Sequence, residues 1–173
     1  KMAVRVQRVD SGRVIVSGAA PLRMTDFSID PPTAMFGTIR AGDLILRSLP
    51  RLDAIQVSTK GRNDFVSEID RQAEQEIIGI IRKSHPDHAF LAEESGRSGN
   101  SEFVWIVDPL DGTTNFLHGF PTFCVSIALE HRGRLEQAVI YDPMRQELFT
   151  ASRGDGAKLD DRRMRVSKQR ELE

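Results

Sequence analysis

Residues 108–116, which read DPLDGTTNF, constrain the fold of this chain more than any other stretch. They follow the apolar run 103–107, so a strand would bring two carboxylates, a glycine and two hydroxyl groups to one turn. Carboxylates held close together raise each other's pKa or repel one another. Because hard divalent cations prefer oxygen ligands, the sequence predicts a cation at this turn.

Composition limits the class of protein. With 173 residues, of which 39% are hydrophobic, the chain can bury one substantial core. The 24 basic and 25 acidic residues nearly cancel, so nothing indicates a nucleic-acid or anionic-membrane partner. No apolar run approaches the ~18 residues that suggest a membrane span. The single Cys124 lies in an apolar run, which predicts a reduced, buried thiol, a cytoplasmic location and no role as a nucleophile.

Hydrophobic spacing predicts two helices. The first carries apolar residues at helical spacing and should end at Pro50, because proline stops a helix: Met35, Phe36, Ile39 and Leu46. After a predicted loop at residues 60–64, the second carries its apolar residues on one face: Val66, Ile69, Ala73, Ile77 and Ile80. Asp70 falls on that same stripe, where an acid is unusual. Residues 1–31 have no clear period and are predicted to be a flexible N-terminal extension of a domain at 32–173.

Strands are predicted around the acidic turn. Residues 89–92 form a short apolar run that ends in Glu93, a polar connector follows at 97–101, and the run 103–107 ends in Asp108. Sheets that mix helices and strands often place their sites at such strand ends. The later segments read as antiparallel strands: 123–129, 135–141, 147–151 and a stretch through 164–166. The predicted fold is α+β, with two helices on a largely antiparallel sheet.

The residue types at these strand ends suit phosphate chemistry. Glu93, Asp108, Asp111 and the Leu110 carbonyl supply oxygen ligands for Mg²⁺, which keeps waters that a phosphate can displace. Gly112 lets the backbone approach a ligand, and a helix starting beside it would face an anion. Glu93 and Thr113 are predicted to orient or deprotonate an attacking water, with Asp70 supporting them.

Several separate motifs, in order, resemble those of the lithium-sensitive inositol monophosphatases. They lie at residues 60–70 (KGRNDFVSEID), 92–95 (AEES), 105–116 (WIVDPLDGTTNF), 118–121 (HGFP) and 125–128 (VSIA). Residues 141–151 (YDPMRQELFTA) are most similar to the bacterial SuhB branch. The resemblance covers about residues 35 to 170 and implies the N-terminal layer of the sugar phosphatase fold.

The resemblance implies roles for individual residues. Glu93, Asp108, Asp111 and the Leu110 carbonyl would ligate Mg²⁺, with about two or three ions in a complete site. The substrate phosphate would meet Glu93 and the turn residues Leu110, Asp111, Gly112 and Thr113. Asp70 and Thr113 would belong to the water-activating network, whereas Lys60 and Glu94 are weaker candidates.

The resemblance also implies partners. It suggests inositol 1-phosphate or a related sugar phosphate as substrate, Li⁺ as inhibitor and a homodimer. The SuhB branch adds an alternative, a regulatory protein that binds RNA polymerase or the transcription factors acting with it. In the family a second α/β layer follows, with a further metal-binding aspartate, so this chain is expected to be the N-terminal portion of a longer phosphatase.

Structural readings compete with these roles. Asp-Pro and Asp-Gly are common turn dipeptides, so Asp108 and Asp111 alone would be ordinary turn residues. Asp70 could be a buried structural acid, and Lys60 and Glu94 could simply face solvent. The histidines are predicted to play no metal role: His85 and His88 as solvated loop residues, His118 in shaping the loop near the turn, and His131 in a hairpin. Trp105 reads as strand packing.

Overall fold

A computed structural model describes residues 3–10, 13–19, 31–54 and 59–167, with side chains described over 33–51 and 68–167. The chain divides into two compact units, Lys1–Asp30 and Pro31–Glu173. In the first unit, β1 (Ala3–Asp10) pairs antiparallel with β2 (Arg13–Ala19). The sequence prediction assigned no strand here, although Val4 and Val6 alternate with polar residues, which is the period-two pattern of a strand.

The second unit begins with helix α1 (Pro31–Ala54). The prediction that Pro50 ends this helix is wrong, because the proline lies inside it. A proline removes one backbone hydrogen bond, and Pro50 is exposed, where water can satisfy the carbonyl left over. The predicted apolar face is also wrong in part, since Phe36 is 64% and Ile39 37% exposed. The buried residues of α1 are mostly small: Thr33, Ala34, Gly37, Thr38, Ala41, Gly42, Ile45 and Ser48.

Helix α2 (Thr59–Ser84) includes the residues predicted as a loop at 60–64, so that prediction is wrong. The segment contains no proline to prevent a helix from starting at Thr59. Its buried stripe follows helical spacing and includes Ile81 rather than the half-buried Ile80. Two acids lie within this stripe: Ile69, Asp70, Ala73, Glu74, Ile77 and Ile81 are all buried.

The rest of the unit is an eight-stranded sheet, as far as the structure describes it, in the order β10-β9-β8-β7-β6-β5-β3-β4. Its strands are β3 (Ala89–Ala92), β4 (Gly96–Ser98), β5 (Phe103–Asp111), β6 (Cys124–His131), β7 (Arg134–Asp142), β8 (Glu147–Ser152), β9 (Gly156–Leu159) and β10 (Arg162–Arg163). A short helix, α3 (Thr113–Leu117), follows β5. Of the strand pairs, β3 with β5 is parallel and the others are antiparallel.

This architecture confirms the predicted α+β fold of two helices on a largely antiparallel sheet. Three details differ: β4 occupies part of the predicted polar connector, β5 extends through Asp108 to Asp111, and residues 164–166 form no strand.

The core lies between α1, α2 and one face of the sheet, where Trp105, Ile127 and Leu129 are almost completely buried. Among the described residues, every helix is too short or too polar to cross a bilayer.

Candidate functional site

The site forms where the parallel pairing of β3 with β5 ends. Ala92 of β3 pairs with Val107 of β5, so the next residues lie at the same level: Glu93, which follows β3, and Asp108, from which β5 continues beside β6. The Glu93 amide donates a hydrogen bond to the Val107 carbonyl at 3.0 Å, which extends the ladder one residue beyond β3. Parallel pairing therefore brings together two acids that are fifteen positions apart, counting from 93 to 108.

Glu93 and Asp108 interact directly through their side chains. Burial, a side-chain hydrogen bond with Glu93 and the charges of Glu93 and Asp111 raise the pKa of Asp108 to about 7. The Leu110 amide, which donates to Asp108 Oδ1 at 3.2 Å, opposes this rise. In the metal-free protein Asp108 therefore binds a proton near neutral pH, at a place where a cation could replace it.

A bulge in β5 turns the acidic loop. Asp108 pairs with Ser126 and Asp111 with Cys124, so three steps along β5 match two along β6. Leu110, within the bulge, is 1% exposed, and its carbonyl accepts a hydrogen bond from Thr113 Oγ1 at 2.9 Å. The buried leucine thus fixes the turn while Asp108 and Asp111 flank it.

Gly112 makes the turn into α3 possible. Its φ of 96° lies in the left-handed region, and a Cβ built there would lie 3.0 Å from the Thr122 carbonyl oxygen. Phe116 of α3 packs edge-to-face on Phe123, with ring centroids 5.3 Å apart. Asn115 Nδ2 also donates to the Thr122 carbonyl at 2.7 Å. The helix predicted to start beside Gly112 is therefore present and held against the segment before β6.

Asp70 approaches the strand ends from α2. It is 4% exposed, and its Oδ1 has no hydrogen-bond partner among the described residues. Burial, followed by the charges of Glu94, Glu93, Asp108 and Glu74, raises its pKa to about 7. A buried carboxylate oxygen without a partner is costly, so this atom fits a site that gains a cation or a water.

The weaker candidates differ in position. Glu94 lies in the turn after β3, with its carboxylate 3.8 Å from the Arg71 guanidinium, where an ion pair contributes little. The side chain of Lys60 lies outside the described residues.

The Cys124 thiol is half-buried and donates to Asp111 Oδ2 at 3.6 Å. Burial and the Asp111 charge raise its pKa to about 12, which keeps the thiol protonated.

Two of the four histidines depart from the sequence prediction. His85 and His88 are not solvated loop residues, because their rings stack at 4.6 Å and His88 accepts a hydrogen bond from the Trp105 indole. His131 stacks on Phe103 at 4.1 Å. His118 lies at the end of α3 and remains exposed, with Nδ1 2.8 Å from the Thr114 carbonyl oxygen. Most of these rings serve packing.

Glu74 is the residue of this region that the sequence reasoning missed. It is 2% exposed on α2, and its carboxylate accepts the backbone amides of Glu94 at 2.8 Å and Ser95 at 3.0 Å. The sequence carried one signal, since Glu74 follows Asp70 by four positions and so shares its helix face.

The donor set suits Mg²⁺ in chemistry. Glu93, Asp108 and Asp111 offer carboxylates and Leu110 a carbonyl, and oxygen ligands completed by waters are what this ion prefers. Within the described part of the chain, no three acidic, histidine or cysteine side chains converge closely enough to hold a metal by themselves. A metal here would therefore need the Leu110 carbonyl, waters or donors beyond these residues.

Comparisons by sequence and by structure point to the same group of proteins. The profile of the inositol monophosphatase family matches residues 33–173. Nus factor SuhB of Pseudomonas aeruginosa is 56% identical over 137 residues, covering 77% of this chain and 51% of that protein. The chain spans about half the length of the curated relatives it matches.

Two solved structures share the fold. The extragenic suppressor protein SuhB of Bartonella henselae has a TM-score of 0.72 and 44% identity, over 83% of this chain and 56% of that one. The inositol monophosphatase of Anabaena has a TM-score of 0.68 and 38% identity, over 80% of this chain and 49% of that one.

Proposed function

This chain belongs to the inositol monophosphatase family, and from that premise we propose that the protein is a Mg²⁺-dependent phosphomonoesterase. Its substrate is inositol monophosphate or a related sugar phosphate, which is hydrolysed by an activated water. The complete site holds about two or three Mg²⁺ ions and is inhibited by Li⁺. The protein acts in the cytoplasm as a homodimer, and this chain contributes the N-terminal metal-binding domain.

One observation carries the proposal: Glu93 and Asp108 meet where the parallel pairing of β3 with β5 ends, and burial, together with a hydrogen bond from Glu93, raises the pKa of Asp108 to about 7. A fold gains nothing from two acids held in this way, because each destabilises the other's charge. The unsatisfied Oδ1 of Asp70 adds a second unfavourable group beside them. A divalent cation would stabilise all three at once, which supports a metal-dependent function.

The residues divide into ligands and positioning groups. Glu93, Asp108, Asp111 and the Leu110 carbonyl would hold Mg²⁺, which when bound supplies positive charge and lowers the pKa of a coordinated water. Thr113 and Asp70 would orient the attacking water, and Glu93 would accept its proton. Gly112 leaves the turn backbone open to the substrate phosphate. No covalent nucleophile is needed, in keeping with the protonated thiol of Cys124.

The test is Mg²⁺-dependent release of phosphate from inositol 1-phosphate by the complete protein, suppressed by Li⁺. Asp108→Asn and Asp111→Asn should each lower kcat/KM by about 10²–10³-fold, because each removes a charge at the metal site. Asp155→Asn is the matched control, since this exposed residue lies in the turn before β9, and it should leave activity unchanged. Equal activity in the wild type and in both site variants would refute the assignment.

A second function is favoured by the names of the relatives, several of which are called Nus factor SuhB. We propose that the protein also binds RNA polymerase or the transcription factors that act with it. Such binding uses surface rather than the metal site, so Asp108→Asn should lower phosphatase activity as above and still retain RNA polymerase in a pull-down. Loss of catalysis with no polymerase retained by either protein would leave the phosphatase as the function.

A further inference from the structure

Glu74 holds the turn that carries Glu93. Its two carboxylate oxygens accept different backbone amides, Oε2 from Glu94 at 2.8 Å and Oε1 from Ser95 at 3.0 Å. The preceding amide, that of Glu93, is bound to the Val107 carbonyl. Three consecutive amides are therefore held, one by the neighbouring strand and two by a side chain of α2.

Burying the Glu74 carboxylate costs free energy unless its hydrogen bonds compensate. Glu74 is 2% exposed, and its charge is one of those that raise the pKa of Asp70. Amide-to-carboxylate hydrogen bonds are charge-assisted and about twice as strong as neutral ones, which offsets the cost of burying the charge. Glutamine could not reproduce the arrangement, because its NH2 group would place a donor against one of the two amides, each of which now meets its own carboxylate oxygen.

We propose that Glu74 is a positioning residue, which fixes the turn at residues 93–95 so that the Glu93 side chain meets Asp108. The inference rests on the proposed function, because it assumes that Glu93 and Asp108 are placed to bind Mg²⁺. Glu74 itself binds neither metal nor substrate. Groups that orient ligands in this way typically change metal affinity by about 10–100-fold when they are removed.

The first measurement is amide hydrogen exchange in the complete, metal-free protein. Glu74→Gln keeps the size of the side chain and should increase exchange at Glu94 and Ser95. Glu76→Gln is the matched control, because it removes the same charge from α2 at a residue that pairs with Arg40 on the surface. Unchanged exchange at Glu94 and Ser95 in Glu74→Gln would overturn the inference, whatever the protein binds.

The second measurement is Mg²⁺ binding by calorimetry. A positioning role predicts that Glu74→Gln lowers the affinity about 10–100-fold at unchanged stoichiometry. A merely structural role would lower the stoichiometry through loss of folded protein and leave the affinity unchanged, which would count against the proposal. If Glu74→Gln fails to fold, Glu74→Asp replaces it in both measurements with the same expected results. Aspartate keeps the charge but is too short to reach both amides.

The two proposals fail in different ways. A wild type that binds no Mg²⁺ refutes the proposed function, while the exchange data still decide whether Glu74 holds the turn. A wild type that binds Mg²⁺ with the same affinity as Glu74→Gln refutes the positioning role and leaves the phosphatase assignment intact.

Discussion

The indole N–H of Trp105 donates a hydrogen bond to Nδ1 of His88 at 3.0 Å. Indole can only donate, so His88 must accept, which fixes its neutral form with the proton on Nε2. Burial, then the nearby His85, lowers the pKa of His88 below 6.5, although Asp87 opposes the shift. The His88 ring also stacks on Phe103 at 4.8 Å, and Phe103 stacks on His131.

Acid should therefore destabilise this corner of the fold. Because the pKa of His88 is lower in the folded state, its contribution is present above pH 6.5 and is lost as the pH falls through the folded pKa. Protonation would also place a second donor against the indole. Urea unfolding followed by the fluorescence of Trp105, the chain's one tryptophan, measures this contribution as the difference between wild type and His88→Gln at the same pH. Relative to His88→Gln, the free energy of unfolding of the wild type should be lower below pH 6.5 than above it.

His88→Gln separates this effect from general acid sensitivity. The amide oxygen of glutamine can accept from the indole and does not titrate, so the loss of stability in acid should become smaller. His118→Gln is the control, since His118 is exposed and directly follows α3. An identical pH dependence in all three proteins would contradict the role assigned to His88.

The carboxylates of the candidate site predict the opposite pH dependence. The pKa values of Asp70 and Asp108 are raised from 3.8 to about 7, so the folded metal-free protein binds protons more tightly than the unfolded chain. The stability that these two protonated groups contribute is fully present below pH 3.8 and should be lost as the pH rises through about 7. Saturating Mg²⁺ should restore stability at the alkaline end, because binding to the folded state alone is stabilising.

Asp70→Asn provides the matched variant. Without the ionisable group, the stability of the metal-free protein should depend less on pH and should exceed that of the wild type above pH 7. The measurement is urea unfolding with and without chelator, carried out in the His88→Gln background to remove the acid effect. A metal-free protein whose stability is constant across the window would show that these carboxylates do not repel one another.

Some parts of the fold follow from local sequence. The turn at Asp108 was predictable because the apolar run of β5 ends in an acid, and Gly112 marks where α3 begins. The buried face of α1 was not, since hydropathy gives most weight to Phe36 and Ile39, whereas the helix packs through smaller residues such as Ala34 and Ala41. Which face of α1 is buried depends on how closely the helix packs against its neighbours, and the whole sheet sets that distance.

The candidate site shows the same division. Glu93 and Asp108 could be paired from sequence once two strands were assumed to end at the same edge. The role of Glu74 could not be predicted, because its partners are backbone amides 20 and 21 positions away. Almost every residue type carries such an amide, so the sequence does not reveal which ones Glu74 binds. The hydrogen bond from Trp105 to His88 was likewise hidden, since it depends on how the loop before β3 folds back onto β5.

Gly112 should be far more sensitive to substitution than Gly119. Both have positive φ, 96° and 68°, but an added Cβ at Gly112 would lie 3.0 Å from the Thr122 carbonyl oxygen, whereas at Gly119 nothing lies within 4 Å. Gly119→Ala should cost about 1–2 kcal/mol from the backbone alone. Gly112→Ala should cost more and also weaken Mg²⁺ binding, because the turn must shift. Equal losses of stability, measured by urea unfolding, would show that the contact at Thr122 relaxes freely.

Gly79→Ala should stabilise the protein. Gly79 lies within α2 and is exposed, its φ is not positive, and a Cβ there would meet no atom within 4 Å. Alanine in a helix is favoured over glycine by about 0.5–1 kcal/mol, because the unfolded chain loses less freedom on folding. The urea midpoint should rise at unchanged slope, and Mg²⁺ affinity should remain the same because the added methyl group would meet no atom within 4 Å. A lower midpoint would mean that this face of α2 is covered in the complete protein, since alanine could then be unfavourable only through a contact.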